Sequence, residues 1–105
     1  MDRVTFTHLI ESEMQTIIAL NQTKGIEYAG HDDALSNFTR RATELGISPY
    51  QVWSVLAGKH WDAIESYCKT GNVLSEPIES RIRDLILYAL LLLGLIADDE
   101  LTTNE

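Results

Sequence analysis

A chain of 105 residues, of which 45% are hydrophobic and 23% charged, has the composition of one globular domain and is too apolar for a disordered protein. Its formal net charge of -8 argues against a surface that holds DNA or an anionic membrane, because such surfaces neutralise phosphates with Lys and Arg. A small anionic ligand is compatible with this charge, since a pocket needs only a few convergent cations or helix N-termini.

The cysteine count and the N-terminus predict a soluble protein of the cytoplasm. Cys68 is the only cysteine, so no disulfide can form within the chain, and a reduced setting is the simpler interpretation. The first residues lack the basic region and apolar run of a signal peptide. The uncharged run 85–97 is shorter than the roughly 20 residues that a membrane span needs. We therefore expect no membrane partner.

Apolar residues recur at helical spacing in the first part of the chain and predict helix 1 over residues 5–23. Thr5 or Thr7 is the expected N-cap, and the Lys24-Gly25 pair is expected to end the helix. Residues 26–33 have glycines near both edges and many polar groups, which is typical of a loop.

Helix 2 is predicted over residues 34–45, with Asp32 or Asp33 as its N-cap. Its apolar residues lie three or four positions apart and form one stripe. Gly46 is placed to end it in a left-handed conformation. The stripe consists of Leu35, Phe38, Ala42 and Leu45.

The Ser48-Pro49 pair is a helix start signal, with Ser as N-cap and Pro at the first helical position. Helix 3 is expected over residues 49–69, since Thr70-Gly71-Asn72 ends the pattern. It carries a wide apolar face made of Val52, Trp53, Val55, Leu56, Trp61, Ile64 and Tyr67.

The last helix is predicted over residues 78–97, after the start signal Ser75-Glu76-Pro77. All its charges lie in the first two turns, and a helix that is apolar on all sides must be covered on all sides. We therefore expect oligomerisation through this helix. The acidic tail 98–105 is expected to fray. The fold class is all-α, a four-helix bundle in a single domain over 1–105.

Two groups of polar residues on the predicted helices could carry chemistry. On helix 3, Lys59 and Asp62 share a face next to Trp61, and a surface ion pair beside a core Trp would explain them as well as a ligand site would. On the last helix, Arg81, Asp84 and Tyr88 share one face. Asp84 precedes an apolar run and needs a partner, for which Lys59 is the natural candidate; a buried structural ion pair is the competing interpretation.

Metal binding has weaker support. Asp62 and Glu65 form one Asp-x-x-Glu pair on helix 3, and Asp84 could add a carboxylate from the last helix. A second acidic pair is lacking, because Arg81 stands three residues before Asp84 and a cation repels a metal ion. We expect no cofactor, with Mg²⁺ bound by Asp62, Glu65 and Asp84 as the alternative.

Three short motifs have an order and spacing found in a known group. They are Lys24-Gly-Ile-Glu-Tyr28 followed by Asn37-Phe38, then Lys59-His60-Trp61-Asp62-Ala63-Ile64, then Arg81-Ile-Arg-Asp84-Leu-Ile-Leu-Tyr88-Ala89. Over residues 24–97 the chain resembles small phage-encoded proteins of the MazG-like, nucleotide-modification-associated group. There a Lys-x-x-(Asp/Glu)-Tyr-Gly element follows the first helix, and an Asp-x-x-Asn-Tyr-Ala element opens the last.

The resemblance implies an all-α phage protein that handles nucleotides, and the MazG-like relatives are Mg-dependent nucleoside triphosphate pyrophosphatases. This chain departs from their pattern at Ala29, which replaces a Gly, and at Leu87, which replaces an Asn. Their paired acidic metal ligands are also not reproduced, since Arg81 occupies the place of a Glu. These departures favour nucleotide binding over hydrolysis.

The leading hypothesis is a non-catalytic nucleotide-binding protein that holds a nucleotide or cyclic nucleotide signal at a helical oligomer interface and sequesters it from host defence. Lys59 and Arg81 would contact phosphate, Tyr28 or Trp61 would stack on a base, and carboxylates would orient the cations or accept from a base or ribose. The expected ligand-binding residues are Lys24, Tyr28, Lys59, Trp61, Asp62, Arg81, Asp84 and Tyr88, with Asn37 and His60 as weaker candidates. The alternatives are a Mg-dependent pyrophosphatase and an acidic module that inhibits a host enzyme.

Overall fold

The computed structural model describes residues 1–30, 32–72 and 76–103, and within them the chain is helical with no β-strand. The predicted all-α class is therefore confirmed. The structure divides into two compact units, Met1–Ala34 and Leu35–Glu105, and each is described by itself. None of the helices in the described ranges is long and apolar enough to cross a bilayer.

The first unit begins with α1, which spans Arg3–Leu20. Asp2, not Thr5 or Thr7, caps it: an Asp2 side-chain oxygen accepts a hydrogen bond from the Thr5 backbone N–H at 2.7 Å. This bond favours the ionised carboxylate and lowers the pKa of Asp2. The Thr7 hydroxyl instead donates to the Arg3 carbonyl oxygen at 2.9 Å. The predicted N-cap was wrong because α1 starts at Arg3, two residues before the predicted start at residue 5.

Helical structure continues past the predicted end of helix 1. Asn21–Gly25 forms a π-helical segment, and α2 follows directly over Ile26–Ala29. Gly25 has helical backbone angles, and the turn comes at Gly30, whose φ is 84°. The prediction of a loop from residue 26 was thus wrong for Ile26–Ala29. The predicted loop residue His31 lies outside the described residues.

The second unit begins with α3, which spans Ser36–Leu45. Leu35 occupies the N-cap position, and its own side chain makes no capping hydrogen bond. The helix starts two residues later than predicted, so neither Asp32 nor Asp33 stands at its N-cap position. Gly46 ends α3 with a left-handed φ of 68°, as its position predicted.

The next helix, α4, spans Pro49–Thr70 and follows the sequence prediction closely. The Ser48 side chain accepts from the Gln51 backbone N–H, and the Gln51 side chain accepts from the Ser48 N–H, which is a complete capping box. Gly71 ends the helix in a left-handed conformation.

The last helix, α5, spans Ile78–Thr103. The prediction of a frayed tail was wrong for residues 98–103, because the helix continues through them. The Tyr50 hydroxyl of α4 donates a hydrogen bond to the Asp99 carboxylate, which holds this part of α5 against α4. The predicted cap Ser75 and the end of the tail, Asn104 and Glu105, lie outside the described residues.

Three helices share the core of the second unit. Phe38 and Ala42 come from α3, Val52 from α4 and Leu95 from α5, and all four are buried. Around them pack the partly buried residues Leu35, Tyr50, Trp53, Leu56, Tyr88, Leu91 and Leu92. The core therefore fixes α5 against α4 at the level of Tyr88, where the polar residues of both helices meet.

Three residues that we expected on the apolar face of α4 are exposed. Val55 is 64%, Trp61 55% and Tyr67 37% exposed. The α4 residues of the core lie at intervals of three or four and include Val52, Trp53 and Leu56. Val55 and Trp61 lie off this stripe, so an apolar side chain at those positions does not reach the core.

Candidate functional site

Polar side chains of α4 and α5 meet one turn beyond the core. His60 Nδ1 of α4 lies 3.8 Å from a carboxylate oxygen of Asp84 on α5, and the two side chains are 16% and 12% exposed. The Tyr88 ring lies one turn further along α5, with its centroid 5.1 Å from that of His60. We call His60, Arg81, Asp84 and Tyr88 the α4–α5 cluster.

Tyr88 joins this cluster to the core. Its ring meets the ring of Phe38 edge to face, with centroids 6.1 Å apart and planes at 79°. Its backbone carbonyl accepts a hydrogen bond of 2.7 Å from the indole N–H of Trp53. Because Phe38 is fully buried, the Tyr88 ring has a fixed support on one side and His60 on the other.

Arg81 brings a cation to the same end of α5. Its Nε lies 2.7 Å from a carboxylate oxygen of Glu76, and the two side chains are 25% and 36% exposed. Arg81 precedes Asp84 by one helical turn, so its guanidinium belongs to the face that carries Asp84 and Tyr88. A guanidinium in this setting can bind a phosphate through two parallel hydrogen bonds, in exchange for the carboxylate.

The structure brings His60, not Lys59, to Asp84. On α4, the stripe that packs towards α5 contains Trp53, and His60 follows it after two further turns. Lys59 lies about 100° around the helix from His60 and is exposed. The prediction of Lys59 as the partner of Asp84 was therefore wrong.

The other predicted ligand residues of α4 lie on its solvent side. Trp61 and Asp62 are exposed, as is Lys59. They remain close along the helix to His60, within one turn of it. The half-buried residues of the α4–α5 cluster are thus followed along α4 by exposed side chains.

Lys24 and Tyr28 belong to the first unit. Lys24 lies in the π-helical segment and is half-buried, and Tyr28 is an exposed residue of α2. Asn37 is a half-buried residue of α3 in the second unit. The role of each in ligand binding stays a prediction.

No group of three or more His, Cys, Asp or Glu side chains in residues 1–30, 32–72 and 76–103 is arranged to hold a metal ion. The set Asp62, Glu65 and Asp84 accordingly does not form such a group there. Glu65 instead lies 3.1 Å from the ammonium group of Lys69, one turn further along α4.

Sequence reasoning gave too little weight to two residues of this site. His60 was a weaker candidate, although its spacing from Trp53 and Leu56 places it on the stripe towards α5. Glu76 was noted only as part of the start signal of the last helix, yet it is the ion-pair partner of Arg81. The intervals along α4 could have identified His60, whereas the Glu76 contact depends on the path of the chain into α5.

Comparison of the chain with protein-family models, with curated proteins and with solved structures finds no match.

Proposed function

We propose that this chain is a non-catalytic nucleotide-binding protein that holds a nucleotide or cyclic nucleotide at the α4–α5 cluster. The observation that carries the proposal is the half-buried His60–Asp84 pair, which packs against the Tyr88 ring one turn from Arg81. The MazG-like resemblance of the sequence supports the choice of ligand class.

In this proposal the cationic side chains of α4 and α5 bind the phosphate group. Arg81 binds a phosphate group in place of Glu76, and the ring N–H of His60 donates a further hydrogen bond. Lys59, exposed on α4, adds positive charge at the approach to the cluster. These cations act locally, so the net charge of -8 slows but does not prevent the approach of an anion.

The base and ribose are recognised by aromatic and acidic side chains. Trp61 offers an exposed indole for stacking, and Asp62 and Asp84 accept hydrogen bonds from base or ribose donors. For Lys24 and Tyr28 of the first unit, nucleotide binding is proposed on the resemblance alone. Because the positive charge of Arg81 repels a metal ion, we expect the nucleotide to bind without Mg²⁺.

The biological role we propose is that of a phage protein that sequesters a nucleotide immune signal of its host. In this role the protein is cytoplasmic and works as a homo-oligomer. The support is the resemblance to phage-encoded proteins, together with the half-buried Arg81, whose Nε lies 2.7 Å from the carboxylate of Glu76.

The test is to incubate purified protein with a mixture of nucleotides and cyclic nucleotides, remove unbound ligand, denature the protein with heat and analyse the supernatant by mass spectrometry. Intact nucleotide should be released, and Arg81→Gln should lower the amount at least tenfold. Arg40→Gln is the matched control, because Arg40 is an exposed Arg of α3 that pairs with Glu44.

Other outcomes of this experiment would contradict the proposal. A hydrolysed product formed with Mg²⁺ and lost in Asp62→Ala would favour a pyrophosphatase. Absence of any retained nucleotide from folded protein would favour the acidic module that docks on a host enzyme. Equal retention by the Arg81 and Arg40 variants would place the ligand elsewhere on the chain.

A further inference from the structure

Contacts between α4 and α5 run in opposite order along the two helices. In the order of α4, the contacting pairs are Tyr50 with Asp99, Trp53 with Tyr88, and His60 with Asp84. The two helices are therefore antiparallel. Their relative position along the common axis, which we call the register, decides which polar side chains of α4 and α5 meet.

The bond between Trp53 and Tyr88 differs from the other two contacts, because its acceptor is a backbone atom. The indole N–H of Trp53 donates to the Tyr88 carbonyl oxygen at 2.7 Å. Each carbonyl inside an α-helix also accepts the N–H four residues later, so α5 does not need the indole in order to form. The bond therefore ties α4 to the backbone of α5, and not to a side chain that can change its rotamer.

This hydrogen bond is sensitive to any shift of α5 along α4. A change of register by one residue moves a carbonyl by about 1.5 Å along the axis and turns it by about 100°. Hydrogen bonds weaken steeply with such changes in length and angle. The neighbouring Leu91 and Leu92 impose no comparable restriction, since apolar contacts have no preferred direction.

The other two contacts do not fix the register at the site. His60 Nδ1 lies 3.8 Å from the Asp84 carboxylate, beyond hydrogen-bond range, so this contact follows the register and does not set it. Tyr50 binds Asp99, which lies about 22 Å along α5 from Asp84 at 1.5 Å per residue. The bond of Trp53 is closer to the site and acts on the helix backbone.

From these contacts we propose that Trp53 is a positioning residue of the nucleotide site. Trp53 and His60 lie two turns apart on one side of α4, and Tyr88 and Asp84 lie one turn apart on one side of α5. Holding Tyr88 level with Trp53 therefore places Asp84 and the Tyr88 ring beside His60. This role rests on the proposed function for its ligand, whereas the register itself needs no ligand.

Replacing Trp53 by benzothienylalanine, through site-specific incorporation, tests the hydrogen bond itself. This amino acid keeps the bicyclic shape of tryptophan and has sulfur in place of the N–H, so it removes the donor and leaves the packing. Trp53→Phe is a second variant made of natural amino acids. The matched control is Tyr50→Phe, which also removes a hydrogen bond between α4 and α5, but at the far end of the pair.

The first measurement is the nuclear magnetic resonance spectrum of the histidine rings in nucleotide-free protein, with His60→Gln to assign the resonances. The Tyr88 ring has its centroid 5.1 Å from that of His60 and displaces the His60 resonances from their positions in the unfolded chain. We expect this displacement to shrink in both Trp53 variants at every pH of a common series. It should stay unchanged in Tyr50→Phe.

The second measurement is the amount of nucleotide that the protein retains from a mixture of ATP, GTP, cyclic AMP and cyclic GMP. Retention by both Trp53 variants should fall by about fivefold or more, because the binding groups are no longer held in one arrangement. Tyr50→Phe should retain as much as the wild type, although it too loses a bond between the helices.

Several results would overturn this role of Trp53. They are unmoved His60 resonances in the benzothienylalanine variant, full nucleotide retention by both Trp53 variants, and an equal loss of retention in Tyr50→Phe. The last would show a general loosening of α4 against α5. If the wild-type protein retains no nucleotide, the proposed function fails, whereas the His60 resonances still decide whether Trp53 sets the register.

Discussion

The indole N–H of Trp53 donates a 2.7 Å hydrogen bond to the backbone carbonyl oxygen of Tyr88, and this bond joins α4 to α5 beside the proposed site. Trp53→Phe would remove the donor and keep an aromatic ring in the core. We expect a loss of about 1 to 2 kcal/mol in the free energy of unfolding. Urea denaturation followed by circular dichroism measures it.

The control for this substitution is Trp61→Phe, because the Trp61 side chain is largely exposed. It should change the free energy of unfolding by less than about 0.5 kcal/mol. Equal effects of the two substitutions would mean that the hydrogen bond of Trp53 adds nothing to stability.

Phe38 is the centre of the three-helix core, with no exposed surface, and its ring supports Tyr88. Phe38→Ala should cost about 3 to 5 kcal/mol through lost burial and the cavity left behind. The exposed Leu45 of the same helix is the control, and Leu45→Ala should have little effect. Both values come from denaturant titration at one temperature. A cost below about 1 kcal/mol for Phe38→Ala would contradict this account of the core.

The hydrogen bond from Tyr50 to Asp99 makes the free energy of unfolding depend on pH in the alkaline range. Its donation to the carboxylate raises the pKa of Tyr50 above the ordinary value of 10.0, and burial adds to the shift. The folded state therefore binds this proton more tightly than the unfolded state. The stabilisation is fully present below pH 10 and is lost as the pH rises through the higher pKa of the folded state.

Thermal melts between pH 8 and pH 12 measure this dependence. Tyr50→Phe should reduce the fall in melting temperature above pH 10, because the titrating group is gone. Tyr67→Phe, which changes a tyrosine near the other end of α4, should leave the fall as it is. An unchanged alkaline profile in Tyr50→Phe would show that another group causes it.

Glu76 competes with the proposed ligand for Arg81. Glu76→Gln removes the charge that pairs with the guanidinium at 2.7 Å and leaves a side chain of the same shape. We expect nucleotide affinity to rise about three- to tenfold, since one charge-assisted contact no longer has to be exchanged. Isothermal titration calorimetry measures the dissociation constant. Glu79→Gln, on an exposed residue of the first turn of α5, should change it little.

Local signals in the sequence predicted the second unit well. The helix α4 begins after Ser48, at Pro49, and ends at Gly71, as expected, and α3 ends at Gly46. Each of these residues acts through its own backbone conformation or capping hydrogen bond. The face of α5 that carries Arg81, Asp84 and Tyr88 was also predicted. These features need only the neighbouring residues along the chain.

The errors arose where a distant contact or an unusual turn decided the structure. The acidic end of α5 looked frayed from its composition, but Tyr50 binds Asp99 from another helix. Lys59 looked the better partner for Asp84 by charge, but the rotation of α4 in the core places His60 there. The contact of Tyr50 with Asp99 could not be derived before the packing of the two helices was known, whereas the intervals along α4 could have identified His60.

The π-helical segment Asn21–Gly25 changes the direction of the side chains that follow it. A π turn holds one residue more than an α-helical turn, so it is equivalent to a single-residue insertion that the helix absorbed without breaking. Side chains after Gly25 are rotated by about 100° from the positions that a continuous α-helix would give them. Deleting one residue within this segment would return Tyr28 to the phase of α1.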